Sequence, residues 1–143
     1  MRTLIIIKPD GVRRGLIGRI IGRFEGYGIK ILGLKILNVE KEIAEKLYKV
    51  HKGKPFFSHL MEYITSGPVV VAVLEVDRLE AEDAIKFIRK VVGATNPLEA
   101  NMGSIRGDYG MDIDENIIHA SDSEKSADYE IPLFFKDDDL TEY

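Results

Sequence analysis

An α+β sandwich, a four-stranded antiparallel sheet covered by helices, is what this sequence predicts, and three observations carry the prediction. Short β-branched apolar runs mark four strands. Segments with apolar residues at helical spacing separate them. No internal repeat, low-complexity tract or linker interrupts the chain, so residues 1–143 are expected to form one domain.

Thr3 to Ile7 is apolar and β-branched and reads as a buried strand. Lys8-Pro9-Asp10-Gly11 reads as a turn, because proline presets φ and glycine tolerates unusual angles. Ile17, Ile20, Ile21 and Phe24 predict an amphipathic helix that stops near Gly26 or Gly28. Alternation of Leu32, Leu34 and Ile36 makes Lys30 to Asn38 a strand. Lys41 to His51 reads as a helix, and another starts at Pro55 or Phe56 and ends at Ser66-Gly67-Pro68. Val69 to Leu74 is continuously apolar, the mark of a strand buried on both faces. Ala81, Ala84, Ile85, Ile88 and Val92 predict a helix closed by Gly93. Periodicity then disappears until about Asp114, and a long irregular stretch in a small domain is usually functional. Asn116 to His119 is a short strand, and Ser121 or Asp122 is expected to cap a last helix carrying Ala127, Ile131 and Phe134. This order is of ferredoxin-like type.

Composition narrows the classes. A net charge of −4 argues against general nucleic-acid affinity, which needs a basic footprint. The absence of cysteine excludes thiol nucleophiles and thiolate zinc sites and suits a reducing compartment. Leu4 to Ile7 is too short for a signal-peptide core or a membrane span, so a soluble cytoplasmic protein is expected. The acidic tail, Asp137 to Asp139 with Glu142, reads as a solvated, frayed end.

Reactive side chains concentrate in Asn116-Ile117-Ile118-His119-Ala120-Ser121-Asp122-Ser123, with Glu130 shortly after. An imidazole can act as a nucleophile, and a carboxylate on one ring nitrogen decides which tautomer it presents. Lys8, Tyr48, Arg89, Thr95, Arg106 and Asn116 fall at the ends of elements or beside the long loop, where a scaffold presents groups to a ligand. Lys8, Arg89 and Arg106 together would make an anion site able to neutralise a transferring phosphoryl group. Taken singly these residues also have plainer readings. Arg89 reads as a solvated arginine, Phe56-Phe57 as core, His51 and His59 as ordinary helix histidines, and His119 as a satisfied interior ring. Spacing alone leaves phosphoryl transfer as one reading. A non-catalytic nucleotide- or nucleic-acid-binding module on the same fold is the alternative.

Six blocks resolve this. They are Ile7-Lys8-Pro9-Asp10-Gly11-Val12, Lys54-Pro55-Phe56-Phe57, Ser66-Gly67-Pro68-Val69-Val70, Gly93-Ala94-Thr95-Asn96-Pro97, Ser104-Ile105-Arg106-Gly107-Asp108 and the His119 segment. In this order they resemble the nucleoside diphosphate kinase family over nearly the whole chain. The resemblance implies ping-pong transfer of a γ-phosphate through a phosphohistidine at His119, with Nδ1 attacking. It implies that Glu130 steadies the other ring nitrogen and Ser121 supports Glu130. It assigns phosphates and ribose to Lys8, Tyr48, Arg89, Thr95, Arg106 and Asn116, and the base to Phe56, Leu60 and Ile113. It implies Mg²⁺ carried by nucleotide phosphates without protein ligands, no dedicated nucleic acid, no membrane, and a homo-oligomer, hexamer or tetramer. Three places depart from the family pattern. Glu75 to Ala84 is several residues longer than usual, to be accommodated by an extended loop or an earlier helix start, Asn101-Met102-Gly103-Ser104 replaces a common Pro-Gly-Thr, and Ala120 stands where glycine is frequent.

Overall fold

The computed structural model describes residues 1–143 and orders four strands β2–β3–β1–β4, where β1 is Arg2–Ile7, β2 Lys30–Leu37, β3 Val69–Glu75 and β4 Ile118–Ala120. Every neighbouring pair is antiparallel. The helices, in chain order, are α1 (Pro9–Arg13), α2 (Ile17–Glu25), α3 (Lys41–Leu47), α4 (Phe57–Ile64), α5 (Ala81–Val92), α6 (Ile105–Tyr109) and α7 (Glu124–Phe134). The ferredoxin-like α+β expectation therefore holds.

The two central strands are continuously apolar over Leu4 to Ile7 and Val69 to Leu74 because helices cover both faces. Ile5, Ile7, Val70, Ala72 and Leu74 pack with Ile20 and Phe24 of α2 and Ala84 and Ile88 of α5. The alternate residues Leu4, Ile6, Val69, Val71 and Val73 pack with Ala44 and Leu47 of α3, Ile64 of α4 and Phe134 of α7. No helix is long and apolar enough to cross a membrane.

Several local readings are corrected. Lys8-Pro9-Asp10-Gly11 is not a free turn but the start of α1, because a proline at the first helical position is already set for a helix. The helix expected over Lys41 to His51 ends at Leu47, and Lys49–His51 tightens into a 3-10 turn. The irregular stretch after Gly93 holds a 3-10 turn at Pro97–Glu99 and the five-residue α6, too short to show a period in sequence. The strand bearing His119 is shifted to Ile118–Ala120, and its helix is capped by Ser123, whose hydroxyl accepts the Ser126 N–H at 3.0 Å, not by Ser121 or Asp122. The longer segment after Glu75 is an extended loop, and α5 starts at Ala81.

The acidic tail is docked, not frayed. Thr141 N–H donates to the Leu32 carbonyl at 2.8 Å, and the Tyr143 hydroxyl accepts Ile31 N–H at 2.8 Å. Lys35 pairs with Asp139 at 2.9 Å and Arg2 with Glu142 at 2.6 Å. The partners are more than a hundred residues away in sequence, which is why charge alone suggested a solvated end. Docking needs Gly33, where a Cβ would stand 2.7 Å from Leu140 Cδ2 and 2.8 Å from the Phe135 ring. Gly33→Ala is expected to cost about 1–3 kcal/mol through overpacking. Chemical denaturation measures it, and tail amides should exchange faster with solvent in the variant.

Candidate active site

Pleating decides where His119 points. Ile118 and Ala120 of β4 join the core on the α2–α5 face. His119, between them and opposite Ile6, therefore faces the α7 side. There His119 Nε2 meets Glu130 Oε1 of α7 at 2.6 Å. The hydroxyl of fully buried Ser121 donates to the same carboxylate oxygen at 3.0 Å. An ionised carboxylate only accepts, so this contact assigns the ring proton to Nε2 and the lone pair to Nδ1.

The chain enters β4 through a strained turn. Ile117 has φ 75°, and Ile118 N–H donates to the Asn116 carbonyl at 2.8 Å, which makes a γ-turn. A β-branched residue there costs on the order of 1–3 kcal/mol. Arg106 holds it: Nε donates to the Asn116 carbonyl at 3.1 Å, Nη2 to that of Ile118 at 2.5 Å and Nη1 to that of Gly93 at 3.0 Å. Gly11 lets α1 close on the turn, since a Cβ there would lie 2.8 Å from Ile7 Cγ2 and 3.1 Å from Ile117 Cγ2.

Three cations converge on this turn and on β4. Buried Lys8 donates from Nζ to Asn116 Oδ1 at 2.8 Å, and Asn116 Nδ2 donates to the Thr95 carbonyl at 3.0 Å. Burial, and then the Arg106 charge, lower the Lys8 pKa to about 8, with Asp10 opposing them. Burial and neighbouring Arg89 bring Arg106 down to about 10. Half-buried Arg89, in the last turns of α5, makes one long bond to the Ala120 carbonyl at 3.3 Å.

An aromatic file leads outward. Tyr48 stands edge-on to His119 with ring centres 6.4 Å apart, and burial pushes its hydroxyl pKa well above the usual tyrosine range. His51 lies 6.2 Å from Tyr48 and 5.3 Å from Phe56, so it is a member of the file rather than a plain surface histidine. Phe56 is 46% exposed, and Leu60 follows one turn later in α4. Ile113 is 54% exposed on the segment leading to Asn116, which Asp114 ties to His59 of α4 at 3.9 Å. Thr95 contributes its carbonyl, and its side chain is exposed.

The geometry thus joins His119, Glu130 and Ser121 in one network, and Lys8, Asn116, Arg106 and Thr95 in another. Tyr48 stands against His119 and Arg89 reaches the neighbouring Ala120 carbonyl, while Phe56, Leu60 and Ile113 stand farther out. Sequence reasoning missed Asp10 and Tyr63, which bond each other in the interior. In the sequence Asp10 sits inside a turn signal and Tyr63 inside a helical run, and nothing local marks the two as a pair. A cavity of about 630 Å³ is off to the side between α5 and the start of α7, and of the residues assigned to the site only Arg89 lines it. No cluster of histidine and carboxylate side chains could hold a metal ion.

Known proteins similar to the chain share this fold. The profile of the family described as nucleoside diphosphate kinase matches residues 1–140. The nucleoside diphosphate kinase of Archaeoglobus fulgidus is 53% identical over 142 residues, covering 99% of this chain and 91% of that protein. That of Pyrococcus furiosus is 54% identical over 145 residues, covering 99% and 87%. A solved Halobacterium salinarum nucleoside diphosphate kinase, in complex with CDP, superposes with a TM-score of 0.93 at 45% identity, covering 100% of this chain and 92% of that one. The chain is a nucleotide-binding phosphotransferase. It belongs to the nucleoside diphosphate kinase family.

Proposed function

We propose that this enzyme, as one domain over residues 1–143, moves the γ-phosphate of a nucleoside triphosphate to a nucleoside diphosphate by a ping-pong mechanism through His119. The 2.6 Å contact of His119 Nε2 with Glu130 carries the reading, because it leaves Nδ1 as the nucleophilic nitrogen. Nδ1 attacks the γ-phosphorus. A P–N bond forms, the bond from phosphorus to the β–γ bridging oxygen breaks, and the diphosphate departs with the electron pair. Glu130 faces the positive charge that develops on the ring, and Ser121 keeps that carboxylate aimed. A terminal β-oxygen of the second diphosphate then attacks phosphorus, a P–O bond forms, the P–N bond breaks with its electron pair returning to Nδ1, and His119 is restored.

Lys8, Arg89 and Arg106 neutralise phosphate oxygens in the transition state, where such charge has its largest effect. Tyr48, Thr95 and Asn116 complete the phosphate and ribose contacts. Phe56 takes the base by stacking, with Leu60 and Ile113 around it. Stacking tolerates any base, which suits broad specificity. Mg²⁺ fits as a metal held by the nucleotide, because the site offers cations and no carboxylate cluster; when bound it neutralises phosphate oxygens. Exposed Leu34, Ile36, Leu98 and Met102 supply apolar surface for a homo-oligomer, hexamer or tetramer. A cysteine-free chain suits the cytoplasm.

Incubation with γ-labelled ATP is the test. Acid-labile, base-stable label on His119 that chases onto a different diphosphate supports the reading; label elsewhere, or none, removes it. The alkaline limit of turnover is a further expectation. Lys8 loses its charge above about pH 8, so kcat/KM should fall as pH rises through that value. Stability should move the other way. The unfolded chain holds the Lys8 proton up to its ordinary value of 10.5, so the cost of burying this cation, present below pH 8, fades between about 8 and 10.5. A pH–rate profile with parallel denaturation curves reads both.

A further inference from the structure

Asp10 lies two residues beyond Lys8, in the first turn of α1, and is 3% exposed. Tyr63, near the end of α4, donates its hydroxyl to Asp10 Oδ1 and accepts the Asp10 backbone N–H at 3.2 Å. The second carboxylate oxygen, Oδ2, is buried with no partner. A carboxylate in the interior with one oxygen unsatisfied is costly. The five-residue α1 is too short for its dipole to offset that cost. The acid therefore answers to something besides the helix, and Lys8, two residues before it, is a buried cation that feels its charge. Lys8 gives its hydrogen bond to Asn116 and not to Asp10, so the two interact through space.

We infer that Asp10, clasped by Tyr63, is a positioning residue: the buried counter-charge of the Lys8 ammonium, and the pin that joins α4 to the phosphate end of the site. Its consequence for turnover rests on the nucleotide reading; its electrostatics do not. The charged groups facing Lys8 are Asp10 from α1 and Arg106 from α6, and they act in opposite directions. Tyr63 faces Asp10 and, from the segment before Asn116, Glu115. Burial first, and then Asp10, push the Tyr63 hydroxyl pKa far above its ordinary value, so it remains a proton donor at every working pH. The pin also fits the chain order. Phe56 caps the start of α4 and Leu60 lies one turn into it, both before Tyr63, so the bond to Asp10 sets the spacing between base and phosphate ends.

The experiment follows the ¹³Cε resonance of Lys8 against pH in lysine-labelled protein without nucleotide, beside pH–rate profiles and ADP binding. Asp10→Asn is expected to lower the Lys8 midpoint by about one pH unit and to move the alkaline limb of kcat/KM the same way. Tyr63→Phe keeps the acid, so the Lys8 midpoint should not fall, while ADP binding weakens about ten-fold through the loosened α4. A Lys8 midpoint unmoved by Asp10→Asn, or lowered equally by both variants, overturns the inference. Should Asp10→Asn fail to fold, Tyr63→Phe decides: a held midpoint with weakened ADP binding supports it, and a lowered midpoint or unweakened binding overturns it. Absence of phosphate exchange in the unaltered enzyme would sink the functional reading and leave the titration standing. An Asp10→Asn enzyme with unchanged titration would sink only this inference.

Discussion

His119→Ala is expected to lower phosphate exchange by about 10⁴-fold or more while leaving the fold intact. The size follows from the proposed chemistry: without the ring there is no covalent intermediate, and the remaining cations only bind. The retained fold follows from the packing. The His119 side chain is 20% exposed and contributes to neither buried apolar cluster, whose β4 members are Ile118 and Ala120. Its loss does leave Glu130 with one partner fewer, Ser121 still donating. The stability change should therefore stay within about 1–2 kcal/mol. Exchange assays and chemical denaturation on the same preparation separate the two effects. A variant that transfers phosphate at more than a few per cent of the original rate refutes the role, and one that unfolds would make the ring structural.

Much of this site could be read before any coordinates. Element types followed from periodicity, and the central strands Leu4–Ile7 and Val69–Leu74 announced their two-sided burial by unbroken apolar runs. The reactive cluster was legible because His119, Ser121 and Glu130 lie within a dozen residues of one another. What escaped was mostly non-local. The tail lies against β2 through Lys35 and Gly33 and pairs with Arg2 of β1, none of which its own composition mentions. Likewise Asp10 meets Tyr63 across fifty-three residues, and a turn signal concealed it. The γ-turn at Ile117 was invisible for another reason: isoleucine is a poor residue for positive φ, so local preference pointed the wrong way. Such conflicts between local preference and fold tend to gather at working sites.

Arg106 and Arg89 are both assigned to phosphate, yet their substitutions should fall on different quantities. Arg106 is 6% exposed and spends three donors on the carbonyls of Gly93, Asn116 and Ile118. Arg106→Ala leaves those carbonyls without it and frees the strained turn that aims His119. The expected cost is on the order of 3 kcal/mol in stability together with about 10³-fold in kcat/KM. Arg106→Lys should recover little, since an ammonium on a single stem cannot reach three carbonyls that a planar fork spans. Arg89, half-buried with one long bond, supports nothing comparable. Arg89→Ala should change stability by less than about 1 kcal/mol while still lowering kcat/KM by about 10²-fold, because only its charge at the transition state is lost. Denaturation curves for the two variants decide the matter. Equal destabilisation would show that the carbonyl clasp is not what holds the turn, and a stable, weakly active Arg106→Ala enzyme would reduce Arg106 to a charge like Arg89.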